Sequence, residues 1–536
     1  MMKLWKSLLL AVLSLILVLG CNLSNQSAIN SANCGSMSGG ETDNPIANYY
    51  DTNAYTWTKE IRWDCVYNIN DFSGKTVDKQ WQKARDTAVN AGGGVVYFPA
   101  GTYEFQDNLY LKNGVILRGE TPRNRNAKSS NYAPLTKLVF PEYKPQLSGN
   151  GTDNQTAFKQ IITTSPRQDS NIGLINLDLN RVGIELGKYV DQTENKNILV
   201  FGVRSNNVAQ SDPQVPDLSF QQPWFRYSYR FAANIRINAY QNILVANNRL
   251  NDAVTDNYEQ PGYQVKSIQG DTVITYQEGN KVPFNYTNHY GIVVNRSKDG
   301  GFQPGAKPNQ EPGLFRSGVV IRDNWVYKTM RVGISASGQG LVVQDNEISD
   351  KQGKQWWTDP TGLKEPRGAV TLENRAIDWS GWDVQVTGNN YQVYRHRIMD
   401  TPYLSVDGEG ILVQECCGGT TVKGANISNN QGNAYIGIYK IPEVENVVIA
   451  NNNLIAGDGN KNLIYVSADT NNAPHEMNNV QITNNTVQGG ILAKASLGGS
   501  NNIISNNQGD NRGSIFYSCH IKIVDNFGFK KQSCEE

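Results

Sequence analysis

The chain has 536 residues, of which 49 are Lys or Arg and 49 are Asp or Glu, so its formal net charge is zero. A neutral chain without a basic tract is not expected to bind nucleic acid. Its length also exceeds the size at which a single globular core stops growing, a limit that solenoids avoid by extending along one axis.

The first segment, residues 1–21, has the pattern of a secretory signal peptide. An apolar run from Leu8 to Leu19 follows two lysines and is too short for a spanning helix. The ending Val18 to Cys21 resembles a bacterial lipoprotein cleavage site, which implies a lipidated Cys21 and an extracytoplasmic protein of the bacterial cell envelope; the alternative is an ordinary secretory signal with a chance cysteine. Residues 22–45 are polar and are predicted to form a flexible tether.

Residues 46–120 are predicted to form an N-terminal cap and the first strands. A helix is predicted between Thr76 and Asn90, because apolar residues recur there at helical spacing, at Val77, Trp81, Ala84 and Ala88. Three glycines then precede the β-branched and aromatic run Val95–Phe98, and a further strand is predicted within Gly114–Glu120.

This segment also carries a resemblance to a known family. The string GGGVVYFPAGTY at Gly92–Tyr103, followed by LKNGVILRG at Leu111–Gly119, resembles the start of the pectate-lyase-like superfamily, in the branch related to rhamnogalacturonases and epimerases. In that family a helix caps the N-terminal end of a right-handed β-helix. The resemblance implies this fold and a polysaccharide ligand, but no particular reaction, because the scaffold carries hydrolases, lyases, epimerases and non-catalytic binders.

From residue 121 to residue 536, one motif recurs: Asn-Asn or Asp-Asn, in most copies followed by a short apolar strand. Several copies are 22 residues apart, and the period has no helical spacing, which predicts a parallel β-helix, an all-β solenoid. The family resemblance implies that this β-helix is right-handed and has a short capping helix. Asn suits the bends, and stacked Asn side chains can hydrogen-bond from one rung to the next. The copies are Asn206-Asn207, Asn247-Asn248, Asp323-Asn324, Asp345-Asn346, Asn429-Asn430, Asn452-Asn453, Asn484-Asn485 and Asn506-Asn507.

Three long insertions interrupt the repeats, at 255–288, 299–313 and 351–366. The first reads as a projecting hairpin, and the other two are rich in Gly, Pro and Lys. Long loops on a repeat scaffold usually gather on one face, so we expect them to form the walls of a binding cleft.

A second recurring element is a strand that begins with Gly-Ile or Gly-Ala. Stacked rungs would place its copies about 4.8 Å apart, so that their outward residues form one ribbon of surface. Two acids, Asp407 and Glu409, precede the fourth copy. The copies are Gly291-Ile292, Gly333-Ile334, Gly368-Ala369, Gly410-Ile411, Gly437-Ile438 and Gly490-Ile491.

Asp407 and Glu409 are the first candidates for catalysis. Two residues apart on an extended strand, they share a side with Cα atoms roughly 6.5–7 Å apart, which leaves room for the glycosidic bond and water of an inverting glycosidase. Glu409 has the parity of the apolar Ile411, so either the alternation breaks before the strand or Glu409 is buried. Polygalacturonases place a catalytic Asp in an Asp-Gly-Ile at such a junction, which favours a break, although their Gly-Asp-Asp, Gly-His-Gly and Arg-Ile-Lys signatures are absent here. The alternative is that both acids bond backbone amides of a turn.

Further functional groups are concentrated nearby. Reserve candidates for the acid–base pair are Glu373, Asp378 and Asp383. Substrate hydroxyls or carboxylates are expected to bind Arg367, Arg375, Arg395, His396 and Lys440. Because a narrow β-helix core is filled mainly by aliphatic residues, sugar stacking is expected for at least two of Trp325, Trp356, Trp357, Trp379 and Trp382, and a second wall at Trp224, Phe225, Tyr227 and Tyr229. The alternative is that these rings only cover the coil.

The sequence therefore predicts a monomeric, lipid-anchored glycoside hydrolase. One alternative is a lyase that abstracts the C5 proton of a uronate with Arg395, His396, Arg397 or Lys440, or with His289, Tyr290, Arg296 or Lys298. Another is a non-catalytic glycan-binding surface protein. No metal or cofactor is expected, although a lyase would raise the prospect of calcium.

The cysteines suggest disulfides at both ends of the coil. Six remain after Cys21, an even number in an exported chain. Cys34–Cys65 and Cys519–Cys534 would each pin one end. Cys416 and Cys417 are adjacent and would form a vicinal bridge or stay reduced.

Overall fold

The computed structural model of the chain describes the residues from 34 to 535 in segments separated by gaps. These segments are 34, 39–141, 159–187, 194–206, 208, 233–251, 260–268, 271–282, 290–295, 317–327, 332–349, 374–393, 396–397, 405–406, 408–414, 421–455, 462–468 and 475–535. In this part of the chain, three long parallel sheets wind as a right-handed β-helix, as the sequence predicted.

Sheet A is the longest, with 14 strands within the described residues. In stacking order they are Val66–Asn68, Gly94–Phe98, Val115–Gly119, Ile172–Ile175, Lys196–Phe201, Gln241–Ala246, Ser317–Arg322, Val342–Gln344, Trp382–Thr387, Thr421–Ser428, Glu443–Ala450, Glu476–Thr483, Ile503–Ser505 and Lys522–Val524.

Sheet B has 11 short strands in the same segments of the chain. They are Gly101–Glu104, Thr136–Val139, Leu177–Asn180, Arg204–Asn206, Arg249–Asn251, Trp325–Tyr327, Glu347–Ser349, Asn390–Gln392, Gln431–Gly432, Asn453–Leu454 and Thr486–Val487.

Sheet C has 13 strands in the described residues. They are Leu109–Leu111, Lys159–Thr163, Val182–Leu186, Ala233–Ile237, Tyr290–Val294, Val332–Ser337, Asn374–Ser380, Gly408–Gln414, Ile436–Tyr439, Asn462–Ala468, Gly490–Ala495, Ile515–Ser518 and Gln532–Glu535. The side chains that point inward from the three sheets form one continuous apolar core.

Two antiparallel hairpins stand apart from the coil. Gln260–Ile268 pairs with Asp271–Val282, which is the projecting hairpin predicted within 255–288. His396–Arg397 pairs with Ser405–Val406. The insertions predicted at 299–313 and 351–366 lie outside the described residues.

The N-terminal end is closed by helix α2 (Val77–Asn90), as the spacing of its apolar residues predicts. Thr76 caps the helix through its side-chain oxygen, and Trp81, Ala84 and Ala88 are buried. The Trp81 ring lies 6.2 Å from the ring of Phe98 in the second strand of sheet A. The helix therefore covers the open end of the core. Among the described residues, no helix combines the length and apolar character needed to cross a membrane.

The segment before helix α2 packs against the outer face of sheet A. Helix α1 (Pro45–Tyr50) and short 3-10 helices at Thr56–Glu60 and Ile69–Asp71 belong to it, and Ile46 and Trp63 form an outer apolar cluster with strand residues such as Leu199. Arg118, fully buried, donates to the carboxylates and backbone carbonyls of Glu41 and Asp43. The prediction of a flexible tether over 22–45 is therefore wrong for its last residues, because Arg118 binds Glu41 and Asp43 and holds them against the β-helix.

The recurring Asn residues form a ladder at the corner between sheets A and B. In each neighbouring pair, the backbone N–H and Nδ2 of one Asn donate to Oδ1 of the next, at 2.9–3.1 Å. The residue before each one has a positive φ. The ladder consists of Asn248, Asn324, Asn346, Asn389, Asn430, Asn452, Asn485, Asn507 and Asn526.

Three details of this repeat differ from the prediction. The copy predicted at Asn452-Asn453 is displaced by one residue, because the bend is at Asn451 and the ladder residue is Asn452. Asn206 is not part of the ladder, because Arg204 pairs with Arg249, which puts the corner of that rung at Gly202 and Val203. Asn389 is part of it although Gly388, rather than Asn or Asp, precedes it. Glycine adopts the left-handed backbone at least as readily as Asn, so the bend survives the loss of the sequence motif.

Candidate active site

The strand starts of sheet C break the usual alternation of side chains. Gly410 faces the core, because a Cβ on it would lie 2.7 Å from Cε2 of Tyr391, and the next residue, Ile411, is also in the core. The equivalent pair one rung earlier, Ala376 and Ile377, is likewise buried in the core. Two successive inward residues leave the preceding residue, Glu409, on the outer face. The break favoured by the sequence is therefore present.

The buried side chain of Tyr391 packs against this irregular start of the Glu409 strand. Its ring lies under Gly410 and Gly432, where a Cβ would overlap it, and its hydroxyl donates to the carbonyl of Ala434 at 2.9 Å. Burial raises the pKa of the Tyr391 phenol above its ordinary value. The glycines are required because the aromatic ring occupies the space that any other side chain would take.

The outer face brings together an arginine, two carboxylates and a phenol. Arg375 and Glu409 are paired across adjacent strands, and Arg375 Nε donates to Glu409 Oε2. Arg375 Nη1 lies 3.8 Å from Asp378 Oδ2. The hydroxyl of Tyr435 donates to Glu409 Oε1 at 3.0 Å. Ser335 Oγ donates to Asp378 at 3.4 Å. We call Arg375, Asp378, Glu409 and Tyr435 the sheet C cluster.

Exposure separates the two carboxylates. The side chains of Arg375 and Asp378 are only 3% and 2% exposed, whereas that of Glu409 is 20% exposed. A buried guanidinium is stable only with carboxylates beside it, and here it has two. Glu409 is thus the acid of the cluster that remains within reach of a ligand.

The cluster has the elements of a carboxylate catalyst. Both acids contact the same guanidinium, so Asp378 fixes the arginine that orients Glu409. Two donors, Arg375 Nε and the Tyr435 hydroxyl, hold the orientation of the Glu409 carboxylate.

Several predicted site residues lie outside the described part of the chain. They are Asp407, Glu373, Arg367, Arg395, Trp356 and Trp357, together with Cys21, Cys416, Cys417, His289, Arg296, Lys298, the wall at 224–229 and the copy Gly368-Ala369. His396 and Arg397 form a two-residue strand next to Ser405–Val406, so they belong to the connection that leads into the Glu409 strand.

Three predicted residues are in positions that contradict their assigned roles. Trp379 is 0% exposed and fills the core, and Trp382 is 6% exposed, so neither offers a free face to a sugar. Asp378 and Asp383 belong to different sheets, because the strand that follows Asp378 in the chain, Trp382–Thr387, is part of sheet A. Asp383 has a left-handed backbone there (φ 55°) and lies beside Gly424. Asp383 is therefore a corner residue rather than a partner of Glu409.

Lys440 and the Gly-Ile copies are partly as expected. Lys440 lies just beyond the end of strand Ile436–Tyr439. The register places Ala434 opposite Glu409. Lys440 is six residues after Ala434, which is about 20 Å in an extended chain. Its Nζ is 5.5 Å from the ring centroid of Tyr439. Ile292, Ile334, Ile411 and Ile491 align in one inward column, but Ile436 rather than Ile438 continues it.

Sequence reasoning missed Tyr435 and Ser335, because nothing local marks them. Tyr435 lies 26 residues from Glu409 and meets it only through stacking of rungs. The repeat period could have identified Tyr435, because Tyr435 immediately precedes Ile436, and Ile436 stacks on Ile411 in the Glu409 strand.

The two predicted cysteine pairs are bonded in the structure. Cys34–Cys65 joins the N-terminal segment to the first strand of sheet A, and Cys519–Cys534 closes a separation of 15 residues at the last rung. Disulfides persist outside reducing compartments, which indicates an extracytoplasmic protein. In the described residues, one group of three possible metal ligands lies within 4.8 Å, Cys34, Asp64 and Cys65, and its sulfur atoms form the first disulfide, so they are not thiolate ligands.

Comparison of the sequence with protein-family models and with curated proteins found no match. The structure is similar to solved parallel β-helix proteins. One is the PfbA surface adhesin of Streptococcus pneumoniae, 11% identical over 88% of this chain and 91% of that chain, with a TM-score of 0.45. Another is a mutant tailspike protein of E. coli bacteriophage HK620 in complex with a pentasaccharide, 10% identical over 87% and 79%, with a TM-score of 0.44. A third is a mannuronan C-5 epimerase module of Azotobacter vinelandii, 12% identical over 88% and 98%, with a TM-score of 0.33.

The parallel β-helix that the sequence predicted is present in the three sheets of this chain.

Proposed function

We propose that the protein is an extracytoplasmic glycoside hydrolase that cleaves a polysaccharide on the outer face of sheet C. The observation that carries this proposal is the sheet C cluster, in which a partly exposed Glu409 is held by Arg375 and Tyr435 beside a second carboxylate. The lipid anchor at Cys21 is part of the proposal and rests on the sequence alone.

In the proposed mechanism, Glu409 is the ionised carboxylate. Arg375 and Tyr435 orient it, and it accepts a proton from water as the water attacks the anomeric carbon. Asp378 holds Arg375 and is a positioning residue. The proton for the departing glycosidic oxygen comes from a second carboxylic acid, for which Asp407 is the candidate because it precedes Glu409 by two residues.

The cluster favours hydrolysis over elimination. A lyase needs a cation free to neutralise the uronate carboxylate of its substrate. Arg375 is buried and already contacts two carboxylates of the protein itself, so it is poorly suited to that task. The substrate-binding role predicted for Arg375 is accordingly replaced by one of orienting Glu409.

The test is product analysis on a panel of neutral and uronate-containing polysaccharides. Hydrolysis releases reducing ends without the ultraviolet absorbance of an unsaturated uronate, and Glu409→Gln should lower the rate at least about 100-fold. Glu443→Gln is the control, because Glu443 is exposed on sheet A beside Lys423 and should have no effect. Unsaturated products would instead establish a lyase. An unchanged rate in Glu409→Gln, or binding without products, would refute the hydrolase.

A further inference from the structure

The outer face of sheet B carries a group of aromatic and amide side chains that the sheet C cluster does not involve. Two outward columns run along this sheet, because the residues between them, such as Leu250, Val326 and Ile348, are buried in the core. The first column contains Arg249, Trp325, Glu347 and Asn390, and the second contains Asn251, Tyr327, Ser349 and Gln392.

Trp325 and Tyr327 form a stacked pair at the centre of these columns. Their ring centroids are 4.8 Å apart with an interplanar angle of 28°, and both residues are partly exposed. The guanidinium of Arg249 covers the Trp325 ring at 3.6 Å from its centroid. We call Trp325, Tyr327 and the flanking amides Asn251, Asn390 and Gln392 the sheet B shelf.

The cations next to the shelf are already engaged by the protein. Arg249 donates to the carbonyls of Ala127 and Ser129. Arg204, one rung earlier, forms a two-pronged pair with Asp178. Glu347 lies beside Trp325 and adds a negative charge. Among the described residues of these two columns, both arginines are thus engaged by protein groups, which disfavours an anionic ligand such as a uronate polymer or nucleic acid.

The remaining chemistry of the shelf suits a neutral sugar. Amide side chains both donate and accept hydrogen bonds, as sugar hydroxyls do. Arg249 and Tyr327 pack on the Trp325 ring, so the exposed edges of the two rings are the apolar surface that can contact the C–H groups of a pyranose without requiring charge. Gln392 and Asn390 are exposed beside the rings.

The position of the shelf also relates it to the sheet C cluster. Tyr327 ends its strand five residues before Val332, which is at most about 18 Å of chain. Val332 pairs with Arg375, and Arg375 pairs with Glu409. The shelf and the cluster therefore lie on the two sides of one corner of the coil.

We propose that the sheet B shelf is a separate binding site for a neutral, hydroxyl-rich polysaccharide. Binding there needs no turnover, so this inference stands whether or not Glu409 acts in catalysis. A chain held on the shelf would be presented at the corner that leads to sheet C.

The experiment is affinity electrophoresis of the full chain in gels that contain arabinoxylan, β-glucan or arabinogalactan as neutral probes, with polygalacturonate and alginate as anionic probes. We expect retardation by at least one neutral polymer. In Trp325→Ala combined with Tyr327→Ala, the dissociation constant should rise about tenfold or more. Tyr240→Ala, which removes an exposed ring at the corner between sheets C and A, is the matched control and should bind as the parent does.

A second variant guards against misfolding of the double mutant. Asn390→Ala combined with Gln392→Ala removes only exposed amides and should weaken binding several-fold with unchanged circular dichroism. Glu409→Gln should bind normally, which separates this site from the proposed hydrolase. The inference is overturned if no neutral polymer retards the protein, if retardation is confined to the anionic polymers, or if the amide variant binds as tightly as the parent.

Discussion

Gly410 and Tyr391 are in such close contact that a Cβ on the glycine would lie 2.7 Å from the ring and 2.5 Å from the carbonyl oxygen of Tyr435. Gly410→Ala should therefore destabilise the protein by about 2 kcal/mol or more, because neither a core ring nor a backbone carbonyl can yield cheaply. Denaturant unfolding measures the loss. Gly340→Ala is the comparison: its Cβ meets nothing within 4 Å but its φ is +63°, so it should cost only about 1–2 kcal/mol of backbone strain. Equal losses would contradict the contact.

Arg375 is expected to matter for stability as well as for Glu409. Arg375→Met should cost about 3 kcal/mol, because Asp378, 2% exposed, would lose the positive charge beside it. The double variant Arg375→Met with Asp378→Asn should recover part of that loss. Denaturant unfolding at neutral pH gives the coupling energy of the pair. A double variant no more stable than Arg375→Met would show that the two charges do not interact.

The Asn ladder offers a matched pair of neighbouring residues. Asn452→Ala removes bonds to Asn430, Asn485 and the Ile427 carbonyl and should cost about 2–3 kcal/mol, because buried groups lose their partners. Asn453→Ala changes the next residue, which is exposed, and should cost less than about 0.5 kcal/mol. Thermal and denaturant unfolding compare them. Similar losses for both would mean that the ladder contributes little.

The contact of Asp43 with Arg118 should make stability depend on pH. Burial alone would raise the pKa of Asp43, but the hydrogen bond and charge of Arg118 outweigh it and lower that pKa. A lowered carboxyl pKa adds stability above the unfolded value of about 3.9, and this is lost as pH falls through the folded pKa. Asp43→Asn should therefore be less stable than the parent at pH 7, by no more than about 1 kcal/mol because the carboxylate is partly exposed. Unfolding curves across the acid range should converge, whereas a constant gap would rule out this linkage.

The sequence predicted the features that depend on local chemistry. The Asn repeat predicts a left-handed bend and a stacked amide. Each of these depends only on one residue and on the equivalent residue of the next rung. The helix at Val77–Asn90 follows from spacing and the Thr76 cap. These signals survive because each rung repeats the same local requirement.

The site was harder to predict because parity and sheet membership are not local. Two inward residues in succession at Ala376 and Ile377 put Arg375 and Asp378 on one outer face. A turn at Gly381 then moves Asp383 to another sheet. Trp379, one residue after Asp378, points inward, so the prediction that it stacks on a sugar is wrong. Composition alone cannot distinguish these neighbouring positions.

The side-chain carbonyls of the Asn ladder share one orientation. In each of its eight links, Oδ1 accepts from Nδ2 of the preceding rung, and Nδ2 also donates to a backbone carbonyl of the preceding rung, as from Asn324 to Val245. The dipoles of these carbonyls therefore add along the solenoid axis, as peptide dipoles do in a helix. Each bond polarises the next in such a chain. The corner between sheets A and B thus has an aligned dipole whose positive end is toward the C-terminal end of the solenoid, although the molecule has no net charge.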